Sequence, residues 1–119
     1  MNIALWIVQI LLGLAFLAAG LLKATQPKEA LRAKNLNWVD DYSAGMVKLI
    51  GVSEILGGIG LIAPWATGIA PVLTPIAAVA LAAVMVGAAL AHLRRKEYPA
   101  IVFNIVLAAL AVFVAVGRF

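Results

Sequence analysis

The hydrophobic positions of this chain are gathered into four long, nearly unbroken runs separated by short polar segments. The runs cover residues 3–22, 46–63, 72–92 and 100–116. A bilayer hydrocarbon core about 30 Å thick needs about 20 apolar residues of α-helix, at about 1.5 Å each. Each run has roughly that length, and none alternates with the period of two that a barrel strand requires. The pattern predicts an all-α integral membrane four-helix bundle, a single transmembrane domain over residues 1–119.

The composition supports this interpretation and excludes several kinds of chemistry. Hydrophobic residues make up 66% of the chain and charged residues 12%, whereas a soluble domain carries about 25% charged residues. The first run lacks a preceding basic segment and is longer than the apolar part of a signal peptide, so we interpret it as a span. The chain has no cysteine and one histidine, which excludes thiol redox chemistry, cysteine-based metal sites and a bis-histidine haem. We predict no metal site and no covalent cofactor.

The basic residues predict the orientation in the membrane. Seven of them lie in the first and third connections, Lys48 lies just inside the second run, and only Arg118 lies near a chain end. The positive-inside rule therefore places these two connections in the cytoplasm and both termini outside. Basic groups beside spans contact anionic lipid headgroups, so we expect membrane lipids and no nucleic acid as partners. The seven are Lys23, Lys28, Arg32, Lys34, Arg94, Arg95 and Lys96.

The first connection is the longest and carries a helix signal. Pro27 suits a first helical turn and Glu29 suits its positive end, so a short amphipathic helix is predicted over about 27–36. We expect its apolar side to rest on the headgroups, with Trp38 and Tyr42 as interfacial anchors.

Four polar side chains predict a cavity in the cytoplasmic half of the bundle. Glu54 lies about 12 Å into the second span and Asn104 about 6 Å into the fourth, by helix rise. Lys23 and His92 close the first and third spans. An intramembrane acid costs about 2.5–3.5 kcal/mol and marks function by default, so these four residues are the candidate ligand-binding site. Gln9, about 21 Å from Lys23 by the same rise, belongs to the outer half.

Each of the four also has a purely structural interpretation. Glu54 can join helices by bonding Asn104, Ser53 or Lys23, and an interhelical amide such as Asn104 is common. Lys23 can be a snorkelling anchor and His92 an interfacial polar residue.

Small residues predict where the helices approach closely. Glycines on helix faces allow tight backbone contact in membranes, and the candidates are Gly20, Gly51, Gly57, Gly58 and Gly87. The third span has two predicted starts. In one, Thr74 caps a helix that begins at Pro75; in the other, the helix begins near Pro71 and kinks at Pro75.

Three segments carry a resemblance to a known family. In these segments the chain resembles the DoxX-like family of small bacterial four-span membrane proteins, and the resemblance extends over about residues 5–119. The motifs identify the family without forming a catalytic signature. The resemblance implies the four-helix fold and a bacterial inner membrane; with the orientation that the basic residues predict, both termini face the periplasm. The segments are Ala19-Gly20-Leu21-Leu22-Lys23, then Glu54 with Gly57-Gly58, and His92 with Arg94-Arg95.

The family name implies kinship with the small membrane subunit of a thiosulfate:quinone oxidoreductase. The first interpretation is therefore a quinone- or lipid-binding accessory subunit of a membrane redox complex, with Glu54, Asn104 or His92 near the quinone oxygens. Without cysteine or haem ligands the chain cannot hold the redox centre, so a redox enzyme would be its partner. A homo-oligomer is the other expected assembly.

Two alternatives come from other classes of protein. One is a small proton-coupled transporter of hydrophobic or cationic compounds, in which Glu54 exchanges protons. Small multidrug transporters are similar in size, but their buried glutamate lies in the first span, where this chain has Gln9. The other alternative is a membrane scaffold with no small-molecule ligand.

Overall fold

Four long helices and two short ones make up the chain in a computed structural model, which describes residues 1–34 and 36–119. All four long helices are long and apolar enough to cross a membrane, and no strand occurs in the described ranges. The protein is thus an integral membrane helical bundle, as the sequence predicts. The helices are α1 (Asn2–Thr25), α2 (Lys28–Ala33), α3 (Ala44–Thr67), α4 (Leu73–Arg94) and α5 (Tyr98–Arg118), with a 3-10 helix (Asn37–Asp41) between α2 and α3.

The long helices extend beyond most ends of the predicted apolar runs because local signals other than hydropathy set their ends. α3 begins after Ser43, whose hydroxyl accepts a hydrogen bond from the Met46 N–H at 3.1 Å, an N-cap that precedes the apolar run. It ends at Gly68, whose φ of 71° is the left-handed conformation that glycine adopts most readily.

Of the two predicted starts of the third span, the one near Pro71 agrees with the structure and the Thr74 cap is wrong. α4 begins at Leu73, and the Thr74 side chain does not cap it. The Thr74 hydroxyl instead donates to the Gly60 carbonyl of α3 at 2.8 Å. Gly60 is four residues before Pro64, which has no N–H to offer that carbonyl. Thr74 therefore replaces the hydrogen bond that Pro64 removes, and α3 continues past the proline to Thr67.

The four long helices form a closed ring in the order α1, α3, α4, α5. The pairs α1–α3 and α4–α5 have the largest interfaces, and α1–α5 has the smallest. Each helix of the ring runs antiparallel to its two neighbours. The two ends of the bundle therefore carry different connections and different side chains. We call the end with Lys23 and Arg94 the basic end, and the end with both chain termini and the α3–α4 connection the terminal end.

Glycine pairs bring α1 and α3 together. A Cβ on Gly58 would lie 2.6 Å from the Gly13 carbonyl oxygen, and one on Gly20 would lie 2.5 Å from that of Gly51. These distances are too short for any side chain, so the two backbones touch at both levels. Gly57 points the other way, toward the buried side chain of Leu81 on α4, which a Cβ there would meet at 2.5 Å.

Gly87 was predicted to pack a helix and does not. A Cβ placed on it would meet nothing within 4 Å, because this part of α4 borders a cavity. The tight packing of α4 lies nearer the terminal end, in an apolar core that contains Leu12, Phe16, Leu61, Ala78, Leu81, Met85, Ala111, Val114 and Ala115.

The first connection folds onto the bundle instead of resting on headgroups. Helix α2 ends at Ala33, short of the predicted end at residue 36, and residue 35 lies outside the described residues. Leu31 and Val39 are fully buried and pack with Trp38 and Val47. Trp38 is 9% exposed and is therefore an internal contact and not a membrane anchor.

Candidate functional site

A cavity of about 580 Å³ lies in the half of the bundle near the basic end. Its wall combines residues of α1, α3, α4 and α5 with residues 36–42 of the first connection. All four side chains that the sequence singled out line it: Lys23, Glu54, His92 and Asn104. Most of the remaining wall is apolar or aromatic, namely Ala19, Leu22, Leu36, Trp38, Tyr42, Ile50, Val84, Met85, Gly87, Ala88, Ala91, Ala100 and Phe103.

Glu54 and Lys23 form an ion pair across α1 and α3. The Lys23 Nζ donates to Glu54 Oε1 at 2.5 Å, and the Glu54 side chain is 1% exposed. The ammonium also lies 5.6 Å from the centroid of the Trp38 ring, within cation–π range. The sequence predicts Asn104, Ser53 or Lys23 as the partner of Glu54, and the structure shows Lys23. Ser53 instead bonds the Leu49 carbonyl of its own helix.

His92 and Glu97 form the second polar pair. His92 Nδ1 lies 2.9 Å from Glu97 Oε1, and the Glu97 backbone N–H donates to the His92 carbonyl at 2.9 Å. This backbone bond closes the short α4–α5 connection and holds both side chains at the cavity. Sequence reasoning missed Glu97 because it lies outside the apolar runs, where an acid costs little.

An ion pair crosses the basic end above the cavity. Arg95 Nη1 donates to Asp41 Oδ1 at 3.2 Å, which links the 3-10 helix to the end of α4. Tyr42, the next residue, lines the cavity and meets the Trp38 ring edge-on, with the centroids 5.8 Å apart. The segment 36–42 is thus a cap that is fastened to α4 by one partly exposed charge pair.

Asn104 has an unused hydrogen-bond donor at the cavity. The residue is 7% exposed, and its Nδ2 is buried without a hydrogen-bond partner in the structure. Buried polar groups are normally paired, and leaving one unpaired costs about 1–3 kcal/mol. Asn104 lines the cavity, and a half-turn of its amide group would present this donor to an acceptor oxygen of a bound molecule.

A second polar cluster lies at the terminal end, away from the cavity. Arg118 Nε donates to Gln9 Oε1 at 2.7 Å, and Arg118 Nη1 donates to Asn2 Oδ1 at 2.8 Å. Gln9 in turn donates to the Leu61 carbonyl at 2.8 Å, and the Trp65 ring lies 4.5 Å from the guanidinium. The cluster ties α1, α3 and α5 together. Gln9 lies in the terminal half of the bundle, far from Lys23 as helix rise predicts, whereas sequence reasoning missed Arg118 because only the tertiary fold brings it to Gln9.

The cavity can bind a compact molecule that is largely apolar and carries acceptor oxygens. Its wall carries the polar side chains of Asn104, Lys23 and His92, and its aromatic residues are Trp38, Tyr42 and Phe103. In the described ranges, no group of three or more His, Asp and Glu side chains could hold a metal ion.

The fold and the cavity together define a small four-span helical membrane protein with a polar pocket in one half of its bundle. The model of the DoxX-like family matches residues 7–114. The chain therefore belongs to the DoxX-like family, in agreement with the resemblance of its motifs. Comparison with curated proteins and with solved structures finds no match to this chain.

Proposed function

We propose that the cavity binds the head group of a quinone, or of a lipid with similar chemistry, and that the protein is an accessory subunit of a membrane redox complex. The observation that carries the proposal is the unpaired Asn104 amide in a cavity whose wall is mostly apolar or aromatic. A quinone oxygen is an acceptor of the kind this donor lacks, and aromatic walls suit a flat ring.

Some of the polar residues bind the ligand directly, and others orient the residues that bind it. Asn104 donates to one quinone oxygen, and His92 or Lys23 is the donor for the other. Glu54 orients Lys23 through their 2.5 Å contact, and Glu97 orients His92. A bound quinone supplies the capacity to accept electrons. The electrons come from the redox partner, since the chain has no cysteine and a single histidine.

The ion pair argues against the transporter alternative. A transporter of cations needs a carboxylate that the substrate can reach, and Glu54 already holds Lys23 and is 1% exposed. In the proposed arrangement the basic end faces the cytoplasm of a bacterium and both termini face the periplasm, as the positive-inside rule predicts. The redox partner then docks from either side or within the bilayer, and chemical cross-linking in native membranes identifies it or a second copy of the chain.

Trp38 provides the readout for a direct binding test. Trp6 and Trp65 lie at the terminal end beside Arg118, so a variant with Trp6→Phe and Trp65→Phe leaves Trp38 as the only fluorescent indole. A decyl-substituted benzoquinone should quench this fluorescence saturably in lipid nanodiscs. Quinone should also co-purify with the wild-type protein after mild extraction, measured by mass spectrometry.

Asn104→Leu is the critical variant. It removes the unpaired donor, so the unliganded protein should be as stable as the wild type or more stable by about 1 kcal/mol. Quinone affinity should fall by about tenfold, the equivalent of one hydrogen bond of about 1.4 kcal/mol. A structural role for Asn104 would produce the opposite result, with lower stability and unchanged quenching. Absence of saturable quenching in the wild type would overturn the proposed function and favour a scaffold.

A further inference from the structure

The four walls of the bundle are not equally closed around the cavity. The glycine pairs seal α1 against α3, and the α4–α5 interface is among the two largest. The α1–α5 interface is the smallest of the ring. Its side-chain contacts include Arg118 with Gln9 and Gly117 with Leu5, and all of these lie at the terminal end. The terminal end of this seam is therefore clamped.

In the other half, the cavity separates α1 from α5. Ala19 on α1 and Ala100 and Phe103 on α5 line it. Phe103 is 62% exposed, so the same ring belongs both to the cavity wall and to the outer surface of the bundle. That surface faces lipid, because Phe103 lies in a membrane-spanning helix. At Phe103, therefore, the interior of the cavity and the bilayer meet.

At the basic end a polar pocket of about 560 Å³ adjoins the cavity and shares Tyr42 and Ala91 with it; its other wall residues are Asp41, Arg94 and Arg95. Trp38 is 9% exposed and covers Lys23, and the Arg95–Asp41 pair fastens the capping segment to α4. A molecule that enters from water therefore meets charged side chains and the capping segment. A molecule dissolved in the bilayer meets Phe103 and two alanines at the α1–α5 seam, all of them uncharged.

The volume of the cavity also restricts the ligand. Liquid water occupies about 30 Å³ per molecule, so 580 Å³ holds on the order of 20 non-hydrogen atoms by that measure. This is a head group with the first carbons of a tail, and any longer chain must lie outside the cavity.

We propose that the ligand is a long-tailed, membrane-dissolved molecule that enters between α1 and α5 past Phe103 and leaves its tail in the bilayer. This proposal rests on the proposed function for the head group, and it adds the class of ligand and its route. The Arg118–Gln9 clamp holds the terminal end of the seam shut, so that only the half beside the cavity admits lipid.

Lipid access to the seam is testable without any ligand. The chain has no cysteine, so Ala19→Cys and Ala100→Cys each take one spin label, on opposite sides of the seam. In nanodiscs both labels should collide with oxygen, which concentrates in the bilayer, more often than with a water-soluble nickel complex. Val102→Cys, at a position 63% exposed on α5, is the lipid reference, and Lys96→Cys is the water reference. Oxygen access at both seam positions far below that at position 102 would overturn the route, whatever the protein binds.

The role of the tail is tested with two probes that share one head group. They are a decyl-substituted benzoquinone and the same benzoquinone with a methyl group in place of the tail. Ala19→Phe narrows the seam and should weaken binding of the decyl probe by about tenfold or more, equivalent to about 1.4 kcal/mol, while binding of the methyl probe stays within about twofold. Ala18→Phe, at the exposed neighbouring position, is the matched control and should change neither.

The outcomes separate the two proposals. If Ala19→Phe lowers the affinity for both probes equally, position 19 contacts the head group. That result would overturn the proposal that the tail lies in the seam. Failure of the wild type to bind either probe, with lipid-accessible labels in the seam, would overturn the quinone proposal and leave the lipid opening itself established.

Discussion

At the residue scale, one side-chain hydrogen bond replaces a helix hydrogen bond that a proline removes. Pro64 lies in the last turn of α3 and has no N–H to offer the Gly60 carbonyl one turn earlier. The Thr74 hydroxyl donates to the freed Gly60 carbonyl at 2.8 Å. The Thr74 hydroxyl of α4 thus compensates for the proline in α3.

This repair predicts a specific cost for Thr74→Val, which keeps the shape and removes the donor. The Gly60 carbonyl would lose its partner, and the protein should lose about 1 kcal/mol of stability, within the range for membrane hydrogen bonds and unpaired buried groups. Thr67→Val is the control, because the Thr67 hydroxyl bonds its own helix at an exposed position. Thermal unfolding in detergent measures both, and equal melting temperatures would show that the interhelical bond contributes nothing.

At the scale of elements, α1 and α3 pack by a repeated glycine contact. Gly13 and Gly20 are seven residues apart, as are Gly51 and Gly58, which is about two helical turns. Because the helices are antiparallel, Gly13 meets Gly58 and Gly20 meets Gly51. The Lys23–Glu54 pair straddles the second contact, with Lys23 three residues after Gly20 and Glu54 three residues after Gly51, so the glycines set the distance that this ion pair spans.

The same substitution at two glycines should have opposite effects. Gly58→Ala puts a methyl group 2.6 Å from the Gly13 carbonyl and should destabilise the protein by about 1–3 kcal/mol, the typical cost of overpacking. Gly87→Ala meets nothing within 4 Å and should stabilise the helix by about 0.5–1 kcal/mol through lower backbone entropy. Melting temperatures that shift in the same direction for both would contradict this packing.

The ion pair between α1 and α3 predicts strong coupling between its two members. Removing one charge leaves the other buried, which costs about 3–5 kcal/mol, so Glu54→Gln and Lys23→Met should each be clearly destabilising. The double variant leaves no unpaired charge and should be more stable than the sum of the two losses implies. A double-mutant cycle on thermal or denaturant unfolding measures this difference. Additive losses would mean that the two side chains do not interact.

At the scale of the whole molecule, charge is distributed unequally between the ends. In the terminal half Arg118 is the only charged side chain, whereas the basic end carries the remaining lysines and arginines. The large apolar side chains on the surface, such as Ile3, Leu56 and Val116, which are 75%, 65% and 75% exposed, face lipid. The molecule is thus polar at one end, apolar around its circumference and nearly uncharged at the other end.

This distribution predicts the orientation in a cell. A reporter that works only in the periplasm should be active when fused after Phe119. A reporter that works only in the cytoplasm should be active when fused after Lys96, in the α4–α5 connection. Cytoplasmic activity of the Phe119 fusion would invert the orientation and place the cavity in the periplasmic half.

The sequence by itself determined the number of helices, their approximate extents and the depth of each polar residue, because a bilayer requires continuous helices of known rise. That is why Lys23, Glu54, His92 and Asn104 could be assigned to one half of the bundle before any contact was known. Only the tertiary structure decided which of them meet, since pairing depends on how each helix is rotated and on side chains outside the apolar runs. Lys23 pairs with Glu54, His92 pairs with Glu97, Gly87 borders the cavity and Arg118 reaches Gln9. Rotation and register follow from close glycine contacts between distant parts of the chain, and hydropathy does not encode them.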